Sequence, residues 1–231
     1  PLEIRKFKRY YAATHDVELS EPDADISRKI KQLCIIYGGK AYLPDAMLSD
    51  ELKEKLLNYI EDSFSEGKSA IYYQAIFAKF SDAFLDYHIH DADMLKAYLT
   101  FVGNGRFFIN RSFISKSPDV SLDPQSEVRS CLQNYGRPVN YDELFISLPH
   151  LPQSKIKSIL ASNAEFINNG HSEYFHESIV RLSDEELDGI ADIIQRTIDE
   201  KNFIGGNELY DAICAKYPYI VEENRNLSVY G

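Results

Sequence analysis

One stretch of the sequence combines histidine and aspartate at a spacing that could present metal ligands. His88 and His90 alternate with an apolar residue, and Asp91 and Asp93 follow. Imidazole and carboxylate groups that lie close together can bind a metal ion and activate water. No HExxH or CxxC motif elsewhere completes such a site, and an aspartate before an apolar helical pattern is more simply an N-cap. We therefore expect Asp91 or Asp93 to cap a helix and predict no metal site.

Other reactive residue types are dispersed. His150, His171 and His176 are far enough apart to be expected in loops or at the surface. The three cysteines are Cys34, Cys131 and Cys214. Each lies within an apolar helical pattern, which predicts small core residues rather than disulfides or metal ligands. The phosphate-binding GxxxxGK[ST] and GxGxxG motifs and the nucleophile-elbow motif GxSxG are missing from the sequence. We predict no enzymatic activity, no cofactor and no small-molecule substrate.

Basic side chains offer a different chemistry, the binding of phosphate. The densest run holds Arg5, Lys6, Lys8 and Arg9, which are interleaved with aromatic residues. Such a run could grip phosphate or stack on bases. The alternative is an amphipathic strand or a linker, because short basic runs occur in many proteins without this function. We treat these four residues as candidate nucleic-acid ligands.

The elements that must position such residues follow a repeated order, which is clearest in residues 123–182. A helical pattern ends at Gly136-Arg137-Pro138, and a second short helix is expected to follow a cap at Asn140. Ser154 is the expected cap of a third helix. A turn at residues 168–170 and extended segments around Tyr174-Phe175 and Ile179-Val180 then predict a hairpin. Three helices followed by a hairpin is the winged-helix order.

The same order is predicted for residues 51–122. Helical patterns fall at residues 52–60, from residue 69 into a second helix, and at residues 92–99. A glycine turn at residues 103–105 then precedes Phe107-Phe108-Ile109, with Phe113-Ile114 as the returning strand. The aromatic residues of this unit recur at helical spacing, which favours core packing over a stacking surface.

Partial copies are expected at both ends of the chain. Residues 26–47 predict a helix through Ile36, a glycine turn at residues 38–39 and a strand, whereas residues 183–231 predict a helical repeat without a hairpin. The helical patterns that begin at residues 50 and 184 open in the same way, with Ser49 and Ser183 as the expected N-caps and acidic residues directly after them. We thus divide the chain into 1–50 (a basic arm and a partial repeat), 51–122, 123–182 and 183–231. The first residue is Pro1 rather than Met, so we expect a piece of a longer protein.

Residues 132–144, which read LQNYGRPVNYDEL, resemble the opening of the winged-helix domains known as HARE-HTH, related to the delta subunit of bacterial RNA polymerase. In that family a helix ends in a glycine and proline turn before an aromatic and an acidic residue begin the second helix. The resemblance covers about sixty residues and departs from the family in the hairpin, or wing, which is not basic. It implies a mainly α fold with small β-wings (α+β) in tandem repeats, and an association with DNA or with transcription and chromatin machinery.

Winged helices that read DNA insert the third helix into the major groove and set the wing on the adjacent backbone. The cations expected on these elements are Lys96, Arg106, Arg111 and Lys116 in the first unit and Lys155 and Lys157 in the second. DNA binding by the first unit would require Lys96, Arg106 and Arg111 to share one exposed face. The third helices otherwise lack the Arg, Asn and Gln expected for base reading.

Composition leaves two functions open. The chain has 231 residues, 44% of them hydrophobic, and a net charge of −11, with four basic and eleven acidic side chains in residues 183–231. Our first hypothesis is a non-enzymatic tandem winged-helix module of a larger bacterial-type protein that contacts DNA. The competing hypothesis is a protein-interaction scaffold or regulatory domain of the same fold, whose acidic end docks a basic partner. The sequence shows no membrane span or secretory signal, which predicts a cytoplasmic location.

Overall fold

The computed structural model describes residues 3–103 and 105–228. The protein is mainly helical, at 59%, and its strands form small antiparallel sheets, which confirms the α+β class with predominant helix. The chain divides into two compact units, 1–122 and 123–231, at a position where the sequence predicts the start of a repeat. No helix in the described ranges combines the length and apolar composition needed to cross a membrane.

The first unit begins with two helices, a hairpin and a short helix. These are α1 (Ile4–His15), α2 (Asp23–Leu33), β1 (Ile35–Tyr37), β2 (Lys40–Tyr42) and α3 (Pro44–Met47). Gly38 and Gly39 both have positive φ, which the two-residue turn between β1 and β2 requires. The helix predicted to continue through Ile36 is wrong: α2 ends at Leu33, and Ile36 pairs with Ala41 in the hairpin.

The rest of the first unit holds three helices and a three-stranded sheet. They are α4 (Asp50–Ser65), β3 (Ala70–Tyr72), α5 (Tyr73–Phe84), α6 (Ala92–Val102), β4 (Phe108–Ile109) and β5 (Phe113–Ser115). The sheet order is β3-β5-β4, antiparallel throughout. Ser49 caps α4 by accepting a hydrogen bond from the Leu52 amide, as predicted. The apolar faces of these helices form one core, drawn entirely from residues 35–114.

The second unit begins with the same succession of elements. They are α7 (Pro124–Tyr135), β6 (Val139–Asn140), α8 (Tyr141–Ser147), α9 (Gln153–Ser162), β7 (Phe166–Gly170) and β8 (Glu173–His176), followed by a 3-10 turn (Glu177–Ile179). The sheet order is β6-β8-β7. Each unit therefore contains the order helix, strand, helix, helix, strand, strand, and in each the first strand pairs with the third. Val128, Leu132, Leu144 and Phe175 are fully buried in this unit.

Three helices complete the second unit: α10 (Asp184–Lys201), α11 (Gly206–Lys216) and α12 (Pro218–Glu223). Ser183 and Glu186 form a capping box at the start of α10, which confirms the predicted cap. No strand occurs among residues 183–228, and Ile220 is the one buried hydrophobic residue in that range.

Several predicted boundaries are wrong for identifiable reasons. Residues 70–72 form a strand rather than the start of a helix, because they pair with residues 113–115. Residues 168–170 belong to β7, and the turn falls at His171 and Ser172, both at positive φ. Ser154 lies inside α9, whose N-cap is Pro152. Ile179, expected to be extended, ends the 3-10 turn.

Candidate nucleic-acid interface

Of the cations predicted for the first unit, Lys96 lies next to Arg111, and Arg106 lies beside Glu61. Lys96 on α6 is half-buried: its Nζ lies 5.9 Å from the Tyr73 ring centre and donates a hydrogen bond of 3.0 Å to the carbonyl of Arg111. This bond ties α6 to the turn between β4 and β5. The Lys96 charge is thus engaged in holding the hairpin to the third helix.

The other three cations of the first unit are spread around the hairpin. Arg106 precedes β4 and lies 3.7 Å from Glu61 on α4, whereas Arg111 lies in the turn after β4. Arg106 and Arg111 therefore flank this two-residue strand, one before it and one after it. Lys116 follows β5 and is exposed. Within the described ranges, neither Arg111 nor Lys116 forms an ion pair.

The basic N-terminal run is helical rather than extended. Arg5, Lys6 and Arg9 are exposed on α1, and Lys6 pairs with Glu3 at 2.9 Å. Lys8 is partly buried because its Nζ contacts Asp23 and the carbonyl of Glu21, which fastens α1 to the segment that begins α2. The strand considered as an alternative for this run is therefore wrong, and two of its four cations have acidic neighbours.

The third helix of the second unit, α9, presents a different surface. It buries Ile156, Ile159 and Leu160 and turns its remaining residues to solvent. The exposed residues are Gln153, Ser154, Lys155, Lys157, Ser158, Ala161 and Ser162. Residues 144–164 contain no acidic side chain, although 36 of the 231 residues of the chain are Asp or Glu. This helix is a polar, positively charged face in an otherwise acidic protein.

Aromatic contacts position Lys157 beside the hairpin of the second unit. Its Nζ lies 5.1 Å from the ring centre of Tyr141 and 5.7 Å from that of Phe145, two residues that stack on one face of α8. The Tyr141 hydroxyl donates to the Tyr174 hydroxyl on β8 at 3.1 Å. Burial, and secondarily this hydrogen bond, raises the pKa of Tyr141 to about 12. Tyr141 therefore stays neutral, and its contacts connect α9, α8 and β8.

A charged network in the same unit holds α7 to the hairpin. Glu165 accepts hydrogen bonds from Arg129 Nε at 2.5 Å and Nη2 at 2.9 Å, and from Gln125 at 2.6 Å. His176, expected in a loop or at the surface, is instead buried at the end of β8, and its Nε2 lies 3.4 Å from Glu165. The hydrogen bonds from Arg129 and Gln125 lower the pKa of Glu165 to about 2. Sequence reasoning missed this network because its members lie up to about fifty residues apart.

His150 lies in a loop, as one of the two alternatives for it predicts, but its side chain is buried. It is 4% exposed in the segment between α8 and α9, and its Nε2 contacts Glu127 on α7. Nδ1 has no hydrogen-bond partner in the described part of the chain. Glu127 also lines an open cleft of about 520 Å³ with Ser130, Asn134 and other polar residues of α7 and α8. His171 alone of the three is exposed.

The histidine and aspartate stretch at residues 88–93 serves a structural purpose. Asp91 caps α6 by accepting a hydrogen bond from the Met94 amide at 2.7 Å, which confirms the predicted cap, and it also accepts one from the Tyr37 hydroxyl at 2.7 Å. This second bond raises the pKa of Tyr37 to about 12. In the part of the chain that is described, no three His, Cys, Asp or Glu side chains are grouped as metal ligands would be.

Comparisons of the chain with protein-family models, with curated proteins and with solved structures return no match. We therefore infer the function from the geometry of the chain itself.

Proposed function

We propose that the chain is a tandem winged-helix module without catalytic activity, and that its second domain binds nucleic acid through α9 and the hairpin β7–β8. The element order and the sheet order of residues 50–115 and 124–176 support this assignment, because both match the winged-helix arrangement. The observation that supports nucleic-acid binding is the exposed face of α9, which carries two lysines and no acidic residue.

The physical case for α9 is one of charge and side-chain type. Phosphate binding requires cations that are not already neutralised, and Lys155 and Lys157 form no ion pair in the described structure. Gln153, Ser154 and Ser158 add short polar groups that donate to phosphate oxygens or to base edges. The hairpin adjoins this face through Tyr141 and Tyr174, and its tip at residues 168–172 is likewise free of acidic residues.

The first domain serves this function less well than its sequence suggests. Its third helix, α6, buries Met94, Leu95, Tyr98 and Leu99 and carries one cation, Lys96, whose Nζ is bound to a carbonyl. An apolar helix with so little polar surface cannot read base edges. We assign this domain a supporting role in the module.

The test is fluorescence anisotropy of the intact chain with labelled duplex and single-stranded DNA over a salt series. Lys155→Ala combined with Lys157→Ala should weaken binding on the order of tenfold at low salt. If both lysines contact phosphates, the variant should reduce the slope of log affinity against log salt by about 2.

The matched control is Arg106→Ala combined with Arg111→Ala in the first domain, which removes the same net charge. Its Arg106 pair with Glu61 is exposed and contributes little to stability, so the fold should survive. We expect a small loss of affinity from this variant. Equal losses from the two variants would show that binding responds to net charge alone, and no DNA binding at low salt would leave the protein-interaction scaffold as the better function.

A further inference from the structure

The helices α10 to α12 carry apolar surface that the described chain leaves uncovered. The 18-residue α10 has no buried residue, whereas α4, which opens the corresponding repeat of the first unit, has six. Leu187 is 49% exposed, Phe203 67% and Tyr219 48%. Exposed apolar residues that cluster on one segment indicate a contact surface rather than a solvated one.

The same helices, with the segments before and after them, also form a groove of about 490 Å³, which Leu187, Phe203 and Tyr219 do not line. Its apolar lining residues are Val180, Leu182, Ile190, Leu209, Ile213, Ile220, Val221 and Leu227. Ile190 and Ile213 are only partly buried. A groove between short helices with an aliphatic lining is a common receptor for the apolar face of another helix.

The segment that contributes most of the groove is strongly negative. Residues 183–231 hold eleven acidic and four basic side chains. Three of the four cations have acidic neighbours, since Arg196 pairs with Asp192, Lys201 with Glu208 and Arg225 with Glu222. Lys216 lies over the Tyr217 ring. The surplus of seven carboxylates repels nucleic acid and anionic lipid and attracts a cation-rich partner.

We propose that this groove, the α10–α12 groove, binds a basic amphipathic helix of a partner protein. Aliphatic side chains spaced i, i+3, i+4 and i+7 on the partner helix enter the groove, and lysine or arginine residues on its flanks face the acidic side chains of residues 183–231. Two charged residues line the groove, Glu222 and its exposed ion-pair partner Arg225, so Glu222 is the acidic group that a cation of the partner helix would meet there in exchange for Arg225. This binding is separate from nucleic-acid binding by α9.

The probe is a labelled 14-residue peptide of leucine and lysine whose leucines have helical spacing. Its controls are a peptide with glutamate in place of lysine and one of identical composition in which leucine and lysine alternate. Fluorescence anisotropy of the intact chain should give saturable binding of the helical leucine and lysine peptide, with at least fivefold weaker binding of both controls. Equal binding of the two lysine peptides would overturn the proposal, because charge alone would then explain it.

Two variants locate the binding. Glu222→Lys should weaken binding of the helical leucine and lysine peptide at least fivefold and strengthen binding of the glutamate peptide. Glu18→Lys makes the same change of charge at an exposed site in the first unit and should change neither affinity. Ile213→Ser should also weaken binding, with circular dichroism as the check that α11 is retained. If Ile213→Ser unfolds α11, the comparison of Glu222→Lys with Glu18→Lys decides the question by itself. Equal effects of these two substitutions on peptide affinity would overturn the proposal.

Discussion

At the scale of single residues, the cations show how a folded chain divides similar side chains between structure and binding. Lys8 and Lys96 are engaged by backbone carbonyls, whereas Lys155 is free of ion pairs in the described structure. The sequence predicts the Asp91 cap because the Met94 amide that it binds is three residues away. It cannot predict the Lys96 bond, since the acceptor is fifteen residues away and its position depends on the hairpin.

Glu165 permits a prediction of pH dependence. Its pKa is lowered from 4.5 to about 2 in the folded protein, so its ionised form stabilises the fold above pH 4.5. That contribution is lost as the pH falls from about 4.5 to about 2. Glu165→Gln should lower the free energy of unfolding by roughly 1 kcal/mol at pH 7, a value reduced for partial exposure, and the difference should vanish near pH 2. Urea unfolding at pH 7, 4 and 2.5 measures this.

A matched control for Glu165→Gln is Glu143→Gln, which removes a carboxylate that is paired with the exposed Arg137. At pH 7 we expect Glu143→Gln to lower the free energy of unfolding less than Glu165→Gln does, because an exposed ion pair is screened by solvent. If the free energies of unfolding of wild type and Glu165→Gln differed by the same amount at pH 7 and at pH 2.5, the result would contradict the stabilising role assigned to the Glu165 charge.

At the scale of elements, the helices were largely predictable from sequence and the short strands were not. Apolar periodicity and caps are local, so the starts of α4, α6 and α10 follow from Ser49, Asp91 and Ser183. Residues 70–72 read as part of a helix because nothing local distinguishes three apolar residues in a strand from one helical turn. Their pairing with residues 113–115 determines their conformation.

The caps of the second unit provide a test at this scale. Asn140 accepts a hydrogen bond from the Glu143 amide at 3.0 Å, and Glu143 accepts one from the Asn140 amide at 3.1 Å. Asn140→Ala should therefore lower the free energy of unfolding by about 1 kcal/mol. Ser154→Ala is the control, because Ser154 is exposed inside α9 and is not its N-cap. If chemical denaturation gave comparable losses of unfolding free energy for Asn140→Ala and Ser154→Ala, the start of α9 would be assigned wrongly.

Two glycines near the C-terminal end give a second test. Gly189 lies within α10, and a Cβ there would fall 2.0 Å from the Tyr217 hydroxyl oxygen. Alanine usually stabilises a helix interior by roughly 0.5–1 kcal/mol relative to glycine, but here it must displace Tyr217. We expect Gly189→Ala to lower the melting temperature. Gly206→Ala, in α11 with open space around it, should not; a higher melting temperature for Gly189→Ala would refute the contact.

At the scale of the whole molecule, the sequence conveyed repetition and charge asymmetry but not which repeat is suited to bind. The two units share element order and sheet order, yet α6 is mostly buried apolar surface and α9 exposes a polar face. Part of this difference is composition, since eight of the eleven residues of α6 are hydrophobic against four of the ten residues of α9, and the rest is how much of each helix the surrounding elements cover. That coverage depends on contacts between residues distant in sequence.

The division of the chain supports a last prediction. One core is drawn entirely from residues 35–114, and residues 123–231 bury an apolar set of their own that includes Val128, Leu132 and Phe175. A unit with its own core folds alone. Fragments 3–122 and 123–228 should each unfold cooperatively in urea, and the second should keep most of the DNA affinity. Affinity that stays with 3–122 would place the binding surface elsewhere than on α9, whereas an unfolded 123–228 would show that the second unit does not fold alone.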